Sequence, residues 1–383
     1  MTTLLGKLGN NFLTAAFVPA LWFVILVELL FSSLNVAGSA SWLALPVTLE
    51  SSLITLVFTL VIGFTLMGLN TFLYKLLEGY YFLERFSGLR YRHAMKARKR
   101  RFEFTLREKY ADHLLGPYEK EQNPVAKALR QEQIDLLRQS SRDLKASFKQ
   151  DYPSRTDAVL PTRFGNILKS SEQYAGENYC IDSVVMWPRL IHVIAPAYYQ
   201  KLDESNNNLA FIVNCMVLAI VLAFLSLGAI SYQVYQNKGW TVSAATPPQQ
   251  QRQTSTSASG GTEVTSVPPV TPGNSGVGSG RSPFLYLVSA ISFAGSAWFF
   301  YNASLPAARQ YGNLFRSAFD LFRFDLITQL RLPLPANEEA ETILWEKLSG
   351  FLALGELEPR RFEPFEYTHL ATKPAPRTTD EQA

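Results

Sequence analysis

The sequence lacks the short motifs that mark the best-known classes of membrane pump and hydrolase. It has no GxxxxGK[ST] or GxGxxG phosphate-binding pattern, no HExxH zinc pattern, no GxSxG nucleophile elbow and no CxxC pair. Its four histidines are scattered, without the spacing of metal ligands on one helix face. We therefore predict no catalytic residue, no metal site and no cofactor, and the protein is more easily explained as a non-enzyme.

Cysteine is scarce as well. Only Cys180 and Cys215 are present, and Cys215 lies inside an apolar stretch. Two isolated cysteines supply neither a disulfide framework nor a zinc cluster. Each is expected to be a small buried or half-buried side chain.

Charge is nearly missing from four long stretches, although 18% of the 383 residues are charged. A helix needs roughly 20 apolar residues to cross a hydrocarbon core of about 30 Å. The stretches that meet this length are about 12–34, 52–74, 208–234 and 283–305. The sequence therefore predicts an all-α, polytopic membrane protein with four transmembrane helices arranged as two hairpins.

The first stretch could also be a cleaved signal peptide, since the small residues 36–40 follow it. Its apolar core is longer than the 7–15 residues or so of a signal sequence. We interpret residues 1–34 as carrying a retained first span.

Lysine and arginine are distributed unequally between the two sides that these spans define. The loop 35–51 has none, and 33 of the 36 lie in the N-terminus, in residues 75–207 or after residue 305. Basic residues remain on the cytoplasmic side of membranes. We predict cytoplasmic N- and C-termini, a short external loop at 35–51 and a second external loop at 235–282.

The second external loop is rich in Ser, Thr, Pro and Gly and is predicted to be disordered. It is either a tether through a periplasmic or wall layer or a spacer without a role. The cytoplasmic region 75–207 and the tail 306–370 show helical periodicity and are expected to pack into one helical domain. Residues 371–383 are predicted to be disordered.

Helix ends and faces can be predicted within these regions. Gly116-Pro117 and Gly176 are expected to end helices, whereas Asn337 and Gly355 are expected to cap the tail helix between them. In residues 124–149 the expected apolar stripe consists of Val125, Leu129, Leu136, Leu144 and Phe148.

A basic cluster follows the second span. Anionic lipid headgroups attract such a run when it lies near the membrane surface. It is either a determinant of topology alone or a surface for lipids or a protein partner, and nucleic acid is not expected because no groove-reading motif is present. The cluster consists of Arg90, Arg92, Lys96, Arg98, Lys99, Arg100 and Arg101.

Charged and aromatic residues converge again before the third span. Residues 181–199 have the character of a helix at the membrane interface, bent at Pro188. One interpretation is a headgroup-level pocket in which arginines bind an anionic group, and the other is structural anchoring. The candidate pocket residues are Arg163, Glu172, Asp182, Arg189 and His192.

Glu28 is the only charged residue within the predicted spans. An intramembrane carboxylate is a candidate for proton or ion transfer. It is also close enough to the outer end of its span to be a structural, paired glutamate.

Two segments, LPTRFGNILKSSEQYAGENYCIDSVVMWPRL and FDLFRFDLITQLRLPLPANEE, together comprise 52 of the 383 residues. They resemble uncharacterised bacterial multi-span membrane proteins. The resemblance implies a bacterial inner-membrane protein and transfers no activity or site residue.

These observations favour a membrane-anchored scaffold or signalling component that presents a cytoplasmic helical domain. Its expected partners are the anionic bilayer surface and other proteins or further copies of itself. The alternatives are an oligomeric channel or transporter, and a membrane enzyme acting at the lipid headgroup level.

Overall fold

The computed structural model describes residues 12–31, 49–81, 87–243, 283–355 and 364–367. These residues form helices and connections without a strand, which confirms the all-α prediction. Four stretches are long and apolar enough to cross a membrane, as predicted: Leu13–Leu30, Ser52–Glu78, Pro196–Tyr235 and Phe284–Gln329. The predicted C-terminal disorder and most of both predicted external loops lie outside the described residues.

Nine α-helices make up the described part of the chain, with a π-helical turn at Leu13–Phe17 and a 3-10 turn at Thr156–Ala158. They are α1 (Val18–Phe31), α2 (Leu49–Glu78), α3 (Ser87–Lys120), α4 (Pro124–Asp151), α5 (Arg163–Tyr179), α6 (Ser183–Leu190), α7 (Pro196–Ser243), α8 (Pro283–Gln329) and α9 (Glu338–Leu354).

Helices α7 and α8 have 48 and 47 residues. At 1.5 Å per residue each is about 70 Å long, more than twice what a bilayer requires. The predicted span ends at residues 234 and 305 are therefore not helix ends. α8 passes through Pro306 and ends at Gln329, so the tail region predicted to begin at residue 306 starts inside this helix.

The chain divides into two compact units. The first, here called the helical module, comprises Met1–Ala16, Thr65–Asn214 and Phe300–Ala383. The second, here called the span unit, comprises Phe17–Phe64 and Cys215–Phe299. Helices α2, α7 and α8 contribute residues to both.

The core of the helical module joins the middle of the chain to its tail. Trp345 of α9 is fully buried in one cluster with Met186 of α6 and Phe319 and Ile327 of α8. Asn337 accepts a hydrogen bond from the amide of Ala340, and Gly355 follows α9 in the left-handed conformation. The tail helix therefore has both of the caps that the sequence predicted.

Helices α3 and α4 form an antiparallel hairpin. Its buried positions recur every seven residues, at Ala97, Phe104 and Ala111 in α3 and at Ile134, Ser141 and Phe148 in α4. The Ser141 hydroxyl donates to the Phe104 carbonyl at 3.0 Å. The sequence-based stripe was wrong in part, because Val125, Leu129 and Leu136 lie on the exposed face of α4.

Two predicted helix ends are also displaced. α3 continues through Gly116 and Pro117 to Lys120, and the break falls at residues 121–123. α5 continues past Gly176 to Tyr179, and Cys180 takes the left-handed position after it, with φ 59°. The amides of Cys180 and Ile181 donate back to the carbonyls of Gly176 and Ala175, which completes the helix end.

Candidate functional site

Residues 160–166 contact the end of α2, the second span helix, through a hydrogen bond and close backbone packing. The Thr162 hydroxyl accepts a hydrogen bond from the Gly165 amide at 2.9 Å and donates to the Glu78 carbonyl at 3.3 Å. A methyl group added at Gly165 would lie 2.6 Å from that same carbonyl oxygen. Only glycine lets the two backbones come this close. The last turn of α2 therefore packs directly against the first turn of α5.

Asn166 holds the loop before α5 in place. Its side chain is fully buried and donates to the carbonyls of Leu160 at 2.8 Å and Thr162 at 2.6 Å. Its oxygen accepts from the Leu160 amide at 2.8 Å. All the polar groups of this buried amide are therefore engaged within the loop, as a buried polar side chain requires.

A cavity of about 310 Å³ lies next to this junction, within the helical module. Its walls come from the end of α2, from α5 and α6, and from the module parts of α7 and α8. The rings of Trp187 and Phe315 are in contact there, with centroids 4.5 Å apart. The residues that give it chemical character are Tyr74, Glu78, Glu172, Trp187, Tyr311 and Phe315.

The cavity has an acidic character. No Lys, Arg or His is among the described residues that line it. Lys169, outside its wall, bonds Glu172 at 2.9 Å. Burial alone works to lower the pKa of Lys169, but this hydrogen bond and the negative charge of Glu172 outweigh it and leave the pKa above its ordinary value. The lysine thus stays positive; it is hydrogen-bonded to Glu172, and its charge also acts on Glu78.

Glu78 has no hydrogen-bonded counterion among the described residues, although the positive charges of Lys169 and Lys75 act on it from a distance. Its carboxylate makes no ion pair or hydrogen bond within the described part of the chain, although its backbone carbonyl does. One turn earlier, the Tyr74 hydroxyl is buried without a hydrogen-bond partner among the described residues. A buried polar group without a partner is costly. Two neighbouring polar groups at this cavity are therefore open to a ligand.

Of the five residues predicted to form an interfacial pocket, Glu172 and Asp182 share a second hollow, of about 400 Å³, whereas Arg163, Arg189 and His192 are not part of its wall. Glu172 also lines the cavity. Asp182 caps α6 by accepting from the amides of Val184 and Val185. Arg163 and His192 are exposed, and Arg189 donates to the Val185 carbonyl at 2.6 Å. The predicted arginine-lined, anion-binding arrangement is absent from the walls of this cavity.

The predicted basic cluster is divided between two faces of α3. Arg90 donates to the carbonyls of Val159 and Asp157, Arg100 pairs with Asp151, and Arg101 donates to the Ser154 carbonyl. The side chains of Arg92, Lys96, Arg98 and Lys99 are exposed. Arg90 and Arg101 therefore hold α3 to the loop after the hairpin, Arg100 joins α3 to the end of α4, and the other four members face outward.

Glu28 is paired within the span unit. Its Oε1 accepts a hydrogen bond from the Thr55 hydroxyl of α2 at 2.7 Å. The intramembrane carboxylate thus joins the first two spans.

Sequence reasoning missed Tyr74, Glu78, Tyr311 and Phe315 as cavity residues. They are distant along the chain, and only folding brings them together. One signal was available, because Glu78 is the first acidic residue after the second apolar stretch.

The described residues hold no group of three or more His, Cys, Asp or Glu side chains placed to bind a metal. Comparison of the chain with protein-family models, with curated proteins and with solved structures finds no match.

Proposed function

We propose that this chain is a membrane-anchored scaffold or signalling component whose helical module binds a small organic cation in the cavity beside Glu78. The observation that carries the proposal is that aromatic walls lie beside a carboxylate with no ion pair or hydrogen bond to the described residues. Carboxylates and the faces of aromatic rings attract ammonium groups, and the attraction is strongest where water is excluded. A volume of about 310 Å³ suits a small organic molecule.

The ligand is a primary amine or quaternary ammonium with an apolar body. The ammonium group would lie against Glu78, and Tyr74 would offer its free hydroxyl. The apolar body would contact Trp187 and Phe315. Because the walls come from three span helices as well as from α5 and α6, occupancy would bias how these helices pack, which is the property a signalling component needs.

We further propose that the module lies on the cytoplasmic side of a bacterial inner membrane, with both termini inside. The distribution of Lys and Arg supports this orientation. The anchoring role is supported by Glu28, which is engaged with Thr55.

Calorimetric titration of the full chain in detergent micelles tests the ligand class. The probes are choline and its neutral carbon isostere, dimethylbutanol, which differ in charge and hardly in shape. We expect choline to bind at least about tenfold more tightly, a difference of about 1.4 kcal/mol. Glu78→Gln should remove this preference, whereas Glu339→Gln, at an exposed position of α9, should not. Equal binding of the two probes, or no binding of either, would contradict the proposal.

The scaffold role has a separate test. In-cell cross-linking with mass spectrometry should recover partner proteins joined to the helical module. Repeated recovery of the chain alone would contradict a scaffold. Loss of ion flux from proteoliposomes in Glu28→Gln would instead favour the oligomeric channel or transporter.

A further inference from the structure

The outer face of α3 carries apolar side chains that nothing in the described part of the chain covers. Tyr91, Met95, Phe102 and Leu106 follow one another at i, i+4, i+11 and i+15, which places them on one side of the helix. Phe102 is 66% exposed and Tyr91 65%. The opposite side, with Ala97, Phe104 and Ala111, is the buried seam of the hairpin. The exposed stripe therefore takes no part in the packing between α3 and α4.

Exposed basic side chains flank this stripe of apolar residues. Arg92, Lys96 and Arg98 make no ion pair or hydrogen bond within the described residues, and all three are exposed. Lys99 is 80% exposed and makes a loose pair with Glu103 at 4.0 Å. A basic segment that only sets the orientation of the spans in the membrane would need positive charge and nothing more. In α3 the basic residues flank a row of aromatic and aliphatic side chains as well.

The start of α3 is fixed beside the end of the second span helix. The Arg90 Nε donates to the Val159 carbonyl at 3.0 Å, and Thr162, three residues later, contacts the Glu78 carbonyl. Arg90 also lines a hollow of about 230 Å³ together with Gly79 and Tyr80, the two residues that follow α2. The first turns of the stripe are therefore held close to the residue at which this span helix ends.

We propose that this surface, the α3 outer face, docks on the anionic lipid surface of the membrane in which the chain is anchored. Its apolar side chains would enter the boundary between headgroups and acyl chains, and its four cations would lie among lipid phosphates. The face is defined by Tyr91, Met95, Phe102, Leu106, Arg92, Lys96, Arg98 and Lys99.

Charge complementarity favours this occupant over a second copy of the chain. In a two-fold symmetric contact the four cations of one copy would face those of the other. The hairpin also offers an internal comparison, because α4 exposes Val125, Leu129 and Leu136 beside Glu132 and Asp143. That face has apolar residues without the positive charge and is not expected to bind anionic lipid.

The experiment uses the full chain in lipid nanodiscs, with Cys180 and Cys215 replaced by serine. An environment-sensitive fluorophore is attached at Phe102→Cys, and a matched control carries it at Leu136→Cys on α4. The discs contain either phosphatidylcholine alone or an equimolar mixture with phosphatidylglycerol. Quenchers on the acyl chains and in the water report where the label lies.

We expect the label at position 102 to be reached by the acyl-chain quencher in the mixed discs, and by the aqueous quencher in phosphatidylcholine discs. The label at position 136 should remain in water in both. Replacing Arg92, Lys96, Arg98 and Lys99 by glutamine should reverse the effect, since each cation contributes roughly fivefold to the equilibrium. Because the four basic side chains are exposed, circular dichroism should show that replacing them leaves the fold unchanged.

Three results would overturn the proposal. The label at position 102 could remain in water in both kinds of disc. It could enter phosphatidylcholine as readily as the anionic mixture. Finally, it could be shielded from the aqueous quencher only in discs that hold two copies of the chain, which would show that a second copy covers the face. None of these results depends on whether the cavity binds a cation.

Discussion

The Nε atom of Arg309 lies 2.8 Å from a carboxylate oxygen of Asp151, joining α8 to the last residue of α4. The other oxygen of Asp151 accepts from Arg100 of α3 at 2.9 Å. One carboxylate, with 14% of its side chain exposed, therefore fastens both helices of the hairpin to the long helix α8. A largely buried carboxylate between two arginines is strongly coupled to the packing around it.

Asp151→Asn should destabilise the helical module by about 1–3 kcal/mol, because both arginines lose their counterion while remaining partly buried. The midpoint of thermal unfolding in micelles, followed by near-ultraviolet circular dichroism, measures the effect. Asp157→Asn is the matched control. Its ion pair with Arg155 is exposed, since 66% of the Asp157 side chain and 74% of the Arg155 side chain are accessible to solvent. Water screens such a pair, so the unfolding midpoint should not change. A midpoint for Asp151→Asn equal to that of the control would show that the bridge is energetically unimportant.

Gly165→Ala should be among the most damaging small substitutions in the chain. The new methyl group would lie 2.6 Å from the Glu78 carbonyl oxygen and 2.9 Å from its Cα, so backbone must move. We expect a loss of about 2 kcal/mol or more, by overpacking and by breaking the Thr162 contact.

Gly176→Ala in the same helix is the control for Gly165→Ala. A methyl group there would meet only the Ile181 carbonyl at an ordinary 3.5 Å. We expect it to stabilise by about 0.5–1 kcal/mol through helix propensity. If the two alanines had equal effects on the unfolding midpoint, the close approach of α5 to α2 would be refuted.

His93 should make the stability of the hairpin depend on pH. Burial lowers the pKa of His93, and the positive charges of Lys96, Arg163 and Arg92 lower it further. Because the unfolded chain then binds the proton more tightly than the folded chain, stability falls as pH drops below the ordinary histidine pKa of about 6.5. The loss should develop as the pH falls from about 6.5 through the lowered pKa of His93 in the folded chain.

His93→Gln should flatten this part of the stability curve. His113→Gln, at an exposed position of the same helix, should leave it in place. Unfolding midpoints measured across the pH range in one detergent give the comparison. An unchanged slope in His93→Gln would assign the pH dependence to other groups.

The spans could be predicted because length and lack of charge are local properties. The caps of α9, Asn337 and Gly355, were predictable for the same reason. The seam of the hairpin was also present in the sequence, since Ala97, Phe104 and Ala111 repeat every seven residues. The stripe chosen for α4 was wrong in part because Val125, Leu129 and Leu136 are larger and more apolar than the Ser141 that is actually buried.

The cavity could not be predicted, because it depends on contacts between distant parts of the chain. Glu78 and Tyr311 belong to different spans, and no pattern within either span pairs them. The sequence indicated a role for the segment containing Thr162, Gly165 and Asn166, but the predicted role was anion binding by Arg163. Its structural role is to hold a carbonyl of α2, and that partner lies 84 residues away from Thr162.

The hydrogen bond between Thr55 and Glu28 separates a structural role for the intramembrane carboxylate from a conducting one. Thr55→Val removes the donor and should cost about 0.6–1.7 kcal/mol, the range found for hydrogen bonds between membrane helices. Glu28→Gln keeps an acceptor oxygen and should cost less. Thr59→Val is the control, since that hydroxyl donates within its own helix, to the Thr55 carbonyl at 2.8 Å. Unfolding midpoints in micelles and ion flux in proteoliposomes are measured on the same preparations. We expect the unfolding midpoint to fall most in Thr55→Val, which lacks the hydrogen-bond donor, and the ion flux to be the same in all variants. Loss of flux in Glu28→Gln without a change in the unfolding midpoint would instead identify Glu28 as a transport residue.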